Sequence, residues 1–106
     1  MPANIKRLLR ELKQGLVRIY GERLKAVIVY GSYARGDYDA ESDIDILVVL
    51  KNYEQYGREI ERTGKLVCRI SLNYGVTVSP IFMRERDWVK GEKPLLRNVY
   101  AEGVPV

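Results

Sequence analysis

Two apolar runs constrain this chain more than any other feature: KAVIVY at residues 25–30 and IDILVVL at residues 44–50. Apart from Lys25 and Asp45, neither alternates polar with apolar residues, so both read as strands buried on two faces. The connection between them is too short for a regular crossover helix, which makes the two strands antiparallel neighbours. Helical periods lie on either side. Ile5, Leu8, Leu9, Leu12, Leu16, Ile19 and Tyr20 recur at spacings of three and four, predicting a helix over residues 4–20 with one buried stripe. Asn4 is placed to cap it and Gly21 to end it, while Gly15 weakens its middle by about 1 kcal/mol relative to alanine. The same period returns over residues 53–74 through Tyr53, Tyr56, Ile60, Thr63, Val67, Ile70 and Tyr74, with Gly75 ending it. Glu54–Arg58 and Glu61–Lys65 form i,i+4 pairs on its wet side.

Val76–Met83 reads as a third strand, which Pro80 pushes towards a sheet edge or a bulge. The tail holds two short helical pieces, over 84–90 and 94–102; Gly91 separates them, Pro94 opens the second and Gly103 stops it. The order αβ(loop)βαβα predicts an α/β fold, with a small mixed sheet of three or more strands flanked by helices.

A chain of 106 residues is expected to form a single domain, residues 1–106, with one core. Its one cysteine, Cys68, rules out a disulfide framework and is expected to pack as a small apolar residue in a reducing cytoplasm. There is no long apolar run and no signal-peptide pattern. The chain has no histidine, which removes Ser-His-Asp and Cys-His schemes and leaves carboxylates, hydroxyls, basic residues and bound metal for any chemistry. A net charge of +4 suits an anionic partner without establishing one.

The loop from Gly31 to Asp43 carries the chemistry. Gly31 and Gly36 have Walker A spacing, but Asp37 stands where the phosphate-binding lysine belongs. Asp37, Asp39, Glu41 and Asp43 suggest an EF-hand, but Ser42 replaces the turn glycine and Val48 the bidentate glutamate. There is no dinucleotide fingerprint. A fourth arrangement fits. Gly31 follows a strand directly, so a turn there offers backbone N–H groups to an anion, with the Ser32 hydroxyl beside them. Asp43 and Asp45 are two apart on a strand and face the same way, and two such carboxylates need a cation between them. Mg²⁺ takes one or two carboxylates, waters and substrate phosphates. Arg35 is placed either to contact phosphate or to form a salt bridge. Asp37, Asp39 and Glu41 read as a solvated loop, the tyrosine stripe as core or interface, and Trp88 as a lid over the third strand.

The pattern G31-S32…D43-I44-D45 resembles that of the nucleotidyltransferase superfamily that includes DNA polymerase β. The fuller string GSYARGDYDAESDIDILVV and the tail PLLRNVYAEGV are similar to the minimal nucleotidyltransferase domains. The resemblance implies the polymerase β-like palm fold. It implies that Gly31 and Ser32 hold the triphosphate of ATP or another NTP, and that Asp43 and Asp45 bind Mg²⁺, as two ions. An acceptor hydroxyl then attacks the α-phosphorus and pyrophosphate leaves. It further implies a small helical partner of the HEPN type, with the chain as the antitoxin half of a toxin–antitoxin pair that modifies a tyrosine of the toxin. A homo-oligomer stays open; direct nucleic-acid binding and a membrane are not expected. One departure is plain. Active members of the superfamily carry a third carboxylate on the third strand, and the run VTVSPIFM has no acid. Ser79 occupies the place, with Thr77 two residues before it. That leaves an alternative: a catalytically weak nucleotide-binding subunit that works by docking on its partner.

Overall fold

The computed structural model describes residues 1–106. Its elements are α1 (Ala3–Tyr20), β1 (Leu24–Tyr30), α2 (Ser32–Arg35), β2 (Ile44–Leu50), α3 (Tyr56–Tyr74), β3 (Val78–Arg84), α4 (Glu85–Lys90), α5 (Pro94–Glu102) and β4 (Val104–Pro105). β1 and β2 pair antiparallel, with Val27 opposite Val48 and Tyr30 opposite Asp45. β2 and β3 pair in parallel across the α3 crossover, with Asp45 opposite Ser79. The sheet order is β3-β2-β1-β4. β3 therefore lies at an edge, where Pro80 costs no ladder bond.

The two faces of the sheet are covered unequally. α1 and α3 pack on one face, where 17 buried residues including Leu8, Leu12, Val29, Ile46, Ile70 and Phe82 form the main core. The other face has a smaller cluster of 7, in which Ile28, Tyr30, Leu47, Val49 and Met83 meet Leu96 and Val99 of α5. Side chains alternate along a strand, so Asp45 and Ser79 share this second face with Leu47 and Met83.

Several expectations need correction. Asn4 is not the cap of α1: Pro2 holds that position, and no side chain caps the helix. α3 starts at Tyr56, and Tyr53 lies before it, its ring under the Arg84 guanidinium at 4.2 Å. β3 starts at Val78 rather than Val76, because Val76 N–H still closes the α3 terminus on Ser71 O at 3.2 Å. β4 is a fourth strand of two residues, too short to leave a periodic signal. Cys68 is exposed on α3, not packed. At Gly15 a Cβ would fall 2.4 Å from Leu66 Cδ1, so lost helix propensity is exchanged for a close α1–α3 crossing. Trp88 packs against the second cluster and tilts on Tyr100, ring centroids 5.0 Å apart.

A buried polar pair pins α3 to α1. Tyr20 donates its hydroxyl to Glu59 Oε1 at 2.8 Å, and Glu59 is 3% exposed. Burial, then the Glu59 carboxylate, pushes the Tyr20 phenol well above its usual range. Replacing Tyr20 with phenylalanine removes the hydroxyl donor and leaves that carboxylate with Arg62 Nε alone, 3.5 Å from the same oxygen. We expect a loss of about 1–3 kcal/mol in urea unfolding, because a buried acceptor loses its donor.

Candidate active site

The motif residues converge where β1 ends and β2 begins. Gly31 has φ +75° and ψ −152°, a conformation that L side chains rarely adopt. The chain then makes the single helical turn α2, closed by Arg35 N–H on Gly31 O at 3.0 Å. Gly36, at φ +88°, ends the turn. The first amides of α2 have no acceptor within the helix, an arrangement that suits an anion.

Asp45 sits against this turn. A Cβ on Gly31 would lie 2.4 Å from Asp45 Oδ2, so the carboxylate occupies the space that only glycine leaves open. Asp45 is half-buried and Asp43 is exposed. Burial first, and then the Asp43 charge, raise the Asp45 carboxyl above the ordinary range; Arg35 opposes this and Glu102 adds to it. Burial and then the charge of Asp45 push Tyr30, its partner across β1, up to about 12. The site is thus short of positive charge where its two carboxylates meet. Their hard oxygen donors suit a divalent cation of the magnesium type, which takes few protein ligands and completes its shell with phosphate and water. No third carboxylate joins them in a metal-sized group.

Ser79 lies opposite Asp45 in the β2–β3 ladder, and Thr77 O accepts from Ile44 N–H at 2.8 Å beside Asp43. Ser32 is half-buried next to Gly31. Arg35 forms salt bridges with Asp37 at 3.1 Å and Glu102 at 3.1 Å, which is the second of its two expected roles. Asp37, Asp39 and Glu41 are exposed, as a solvated loop should be, and hydrogen bonds within the loop close it into a turn. Asp39 Oδ1 accepts from Glu41 N–H at 2.8 Å, and Ser42 Oγ accepts from Asp39 N–H at 2.9 Å. This closed turn delivers the chain to Asp43, and the signal for it was an aspartate three residues before a serine. Glu102 was not singled out from the sequence at all. It accepts from Gly31 N–H at 3.1 Å, a contact across 71 residues that no local pattern could reveal.

The largest cleft, of about 800 Å³, lies behind α2 between Lys6, Arg10, Tyr33, Tyr38 and Val106. Asp43 and Asp45 line neither it nor the four other larger clefts. Asp43 is exposed at the head of β2, and Asp45 is half-buried behind it.

The sequence profile of the nucleotidyltransferase domain matches residues 9–91. The chain belongs to the nucleotidyltransferase domain family. Among relatives of this nucleotidyltransferase domain is a Methanocaldococcus jannaschii protein named "Putative protein adenylyltransferase". The two are 38% identical over 78 residues, covering 74% of this chain and 78% of the relative. A solved structure called "putative minimal nucleotidyltransferase" superposes with a TM-score of 0.63 at 26% identity, over 100% of this chain and 97% of that one. The nucleotidyltransferase fold is also shared, at 14% identity and a TM-score of 0.52, with a solved complex of tri-AMPylated Shewanella oneidensis HEPN toxin and MNT antitoxin. That match covers 92% of this chain and 70% of the other. The nucleotidyltransferase domain is thus of the minimal kind, a four-stranded mixed sheet with helices on both faces.

Proposed function

We propose that this chain transfers AMP from ATP to a hydroxyl of a partner protein, a tyrosine of a small helical HEPN-type toxin, and so acts as the antitoxin half of the pair. The observation that carries the reading is the packing of Asp45 against Gly31, which joins the carboxylate pair to the strand-to-helix turn in one site. Gly31 lets the triphosphate approach the turn and Ser32 donates its hydroxyl. Asp43 and Asp45 hold Mg²⁺, two ions in the full complex. Bound magnesium supplies the positive charge that neutralises the phosphates. The acceptor hydroxyl gives up its proton to solvent as its oxygen bonds to the α-phosphorus, the bond from that phosphorus to the bridging oxygen breaks, and pyrophosphate leaves. The exposure of Asp43 supports a partner that brings the acceptor. The M. jannaschii relative and the AMPylated toxin complex agree with AMP as the group moved.

The test is transfer of label from α-labelled ATP to a co-encoded helical protein, with and without Mg²⁺. Label on the partner that requires Mg²⁺ is expected. Nucleotide binding with no transfer to any cognate partner would exclude the reading.

One observation favours a second reading, that of a nucleotide-binding subunit that neutralises its partner by docking. Ser79 stands opposite Asp45, where the resemblance to the superfamily leads us to expect a third acid. A hydroxyl is a poor acceptor for the proton that the attacking oxygen gives up. Ser79→Asp separates the two readings. If the missing carboxylate limits the rate, the variant transfers label faster, by about 10²-fold for a restored general base. If the chain works by docking, neutralisation stays the same in wild type, Ser79→Asp and Asp45→Asn.

A further inference from the structure

We propose that Glu102 is a positioning residue for the nucleotide site, clasping the strand-to-helix turn at both ends so that Gly31 and Arg35 are held in register with Asp45. The inference rests on the nucleotide reading above and adds a residue to it. Glu102 Oε1 accepts from the backbone N–H of Gly31 at 3.1 Å and from Arg35 Nη1 at 3.1 Å. Oε2 accepts from the same guanidinium at 3.2 Å. Gly31 opens the turn and Arg35 closes it, so one carboxylate ties both ends from outside while Arg35 N–H to Gly31 O ties them from inside.

The seat of this carboxylate is closely packed. Glu102 is the last residue of α5. The next residue, Gly103, is packed so closely that a Cβ there would fall 2.4 Å from Val99 O and 2.7 Å from Ile28 Cγ2. Val104 then pairs with Val29 in the sheet. The Glu102 side chain is 20% exposed against 46% for Arg35, so the carboxylate is the shielded partner and the guanidinium the outer one. Charge-assisted hydrogen bonds of this kind fix geometry as well as adding energy. Arg35 is thereby kept beside Asp45, whose charge it offsets, and the free amides of α2 keep one orientation. Glu102 does not join Asp43 and Asp45 in a metal-sized group, so it acts through the turn.

The experiment compares Glu102→Gln, Glu102→Asp and Glu102→Ala in the full chain. Two readouts are taken: exchange of the Gly31 amide by NMR, and the Kd for Mg²⁺·ATP by calorimetry. Glutamine keeps an oxygen within reach of Gly31 N–H; aspartate keeps the charge but falls short by one methylene. Positioning predicts glutamine weaker than wild type, because its amide NH2 cannot accept from Arg35 Nη1 while its oxygen still accepts from Gly31 N–H; aspartate is weaker again, and alanine weakest. For alanine, Kd rises roughly tenfold to a hundredfold, the range for a lost hydrogen bond to a charged group, and Gly31 exchange is faster. An alanine variant equal to wild type overturns the inference, as does aspartate outperforming glutamine, which would make charge the requirement. If the alanine variant does not fold, the order of glutamine and aspartate still decides. Wild type that binds no Mg²⁺·ATP overturns the nucleotide reading and this inference together; wild-type binding with an unaffected alanine variant removes this inference alone.

Discussion

Gly31→Ala should cost about 3 kcal/mol of stability and abolish nucleotide binding. Two independent effects add at this position. The backbone sits at φ +75°, which costs any residue with a Cβ about 1–3 kcal/mol. The new methyl would also stand 2.4 Å from Asp45 Oδ2, so the carboxylate would have to rotate away from the turn. Either the turn unwinds or Asp45 moves, and both separate the proposed phosphate contacts from the proposed metal ligands. Gly36→Ala is the control. It carries the same kind of strain, φ +88°, but nothing lies within 4 Å of its Cβ, so it should lose stability and keep nucleotide binding. Urea unfolding and calorimetric titration of the two variants check this. Equal binding by Gly31→Ala and wild type would mean that the turn does not touch the nucleotide.

Asp45→Asn should stabilise the free protein at pH 7 while reducing transfer by about a thousandfold or more. The stability half follows from the sign of the shift. The Asp45 carboxyl is raised by burial and by Asp43, so the folded protein holds its proton to a higher pH than the unfolded chain does. Stability is then lost as pH rises through the window between the ordinary carboxylate value of about 3.9 and the raised one. Above that window the charge is a standing penalty, which asparagine removes at nearly constant shape. Wild-type Tm without metal should therefore fall on going from pH 4 to pH 7 more than that of Asp45→Asn. Mg²⁺·ATP should raise the wild-type Tm by mass action and leave the variant unmoved. A variant less stable than wild type at pH 7 would mean that Asp45 serves the fold rather than the site.

Local patterns carried most of the fold. The runs at β1 and β2 announced buried antiparallel neighbours, and the ladder pairs them from Leu24 and Leu50 to Tyr30 and Asp45. The three-and-four spacing in α1 and α3 marked the stripe that forms the main core. What escaped was set by contacts between distant segments. β4 needs only two residues because β1 supplies the partner, so nothing in its own sequence marks it. Gly15 looked like a weakness in a helix until Leu66 was seen to fill the space beside it. Cys68 looked apolar by type, yet it falls on the wet side of α3. In the candidate site, the spacing of Gly31, Ser32, Asp43 and Asp45 put them at the junction of two strands, and Asp45 does pack on the Gly31 turn. Glu102 was not, because a glutamate in an amphipathic tail helix is ordinary until the fold brings it to Gly31.

The central claim is that the Gly31–Ser32 turn and the Asp43–Asp45 pair form one nucleotide site completed by a divalent cation. Its most direct test is isothermal titration of ATP into wild type and into Asp43→Asn/Asp45→Asn, each with and without Mg²⁺. The account predicts binding by wild type that strengthens with Mg²⁺, and a double variant in which Mg²⁺ brings no gain. Equal ATP affinity in all four titrations, or no binding by wild type with Mg²⁺ present, would contradict it.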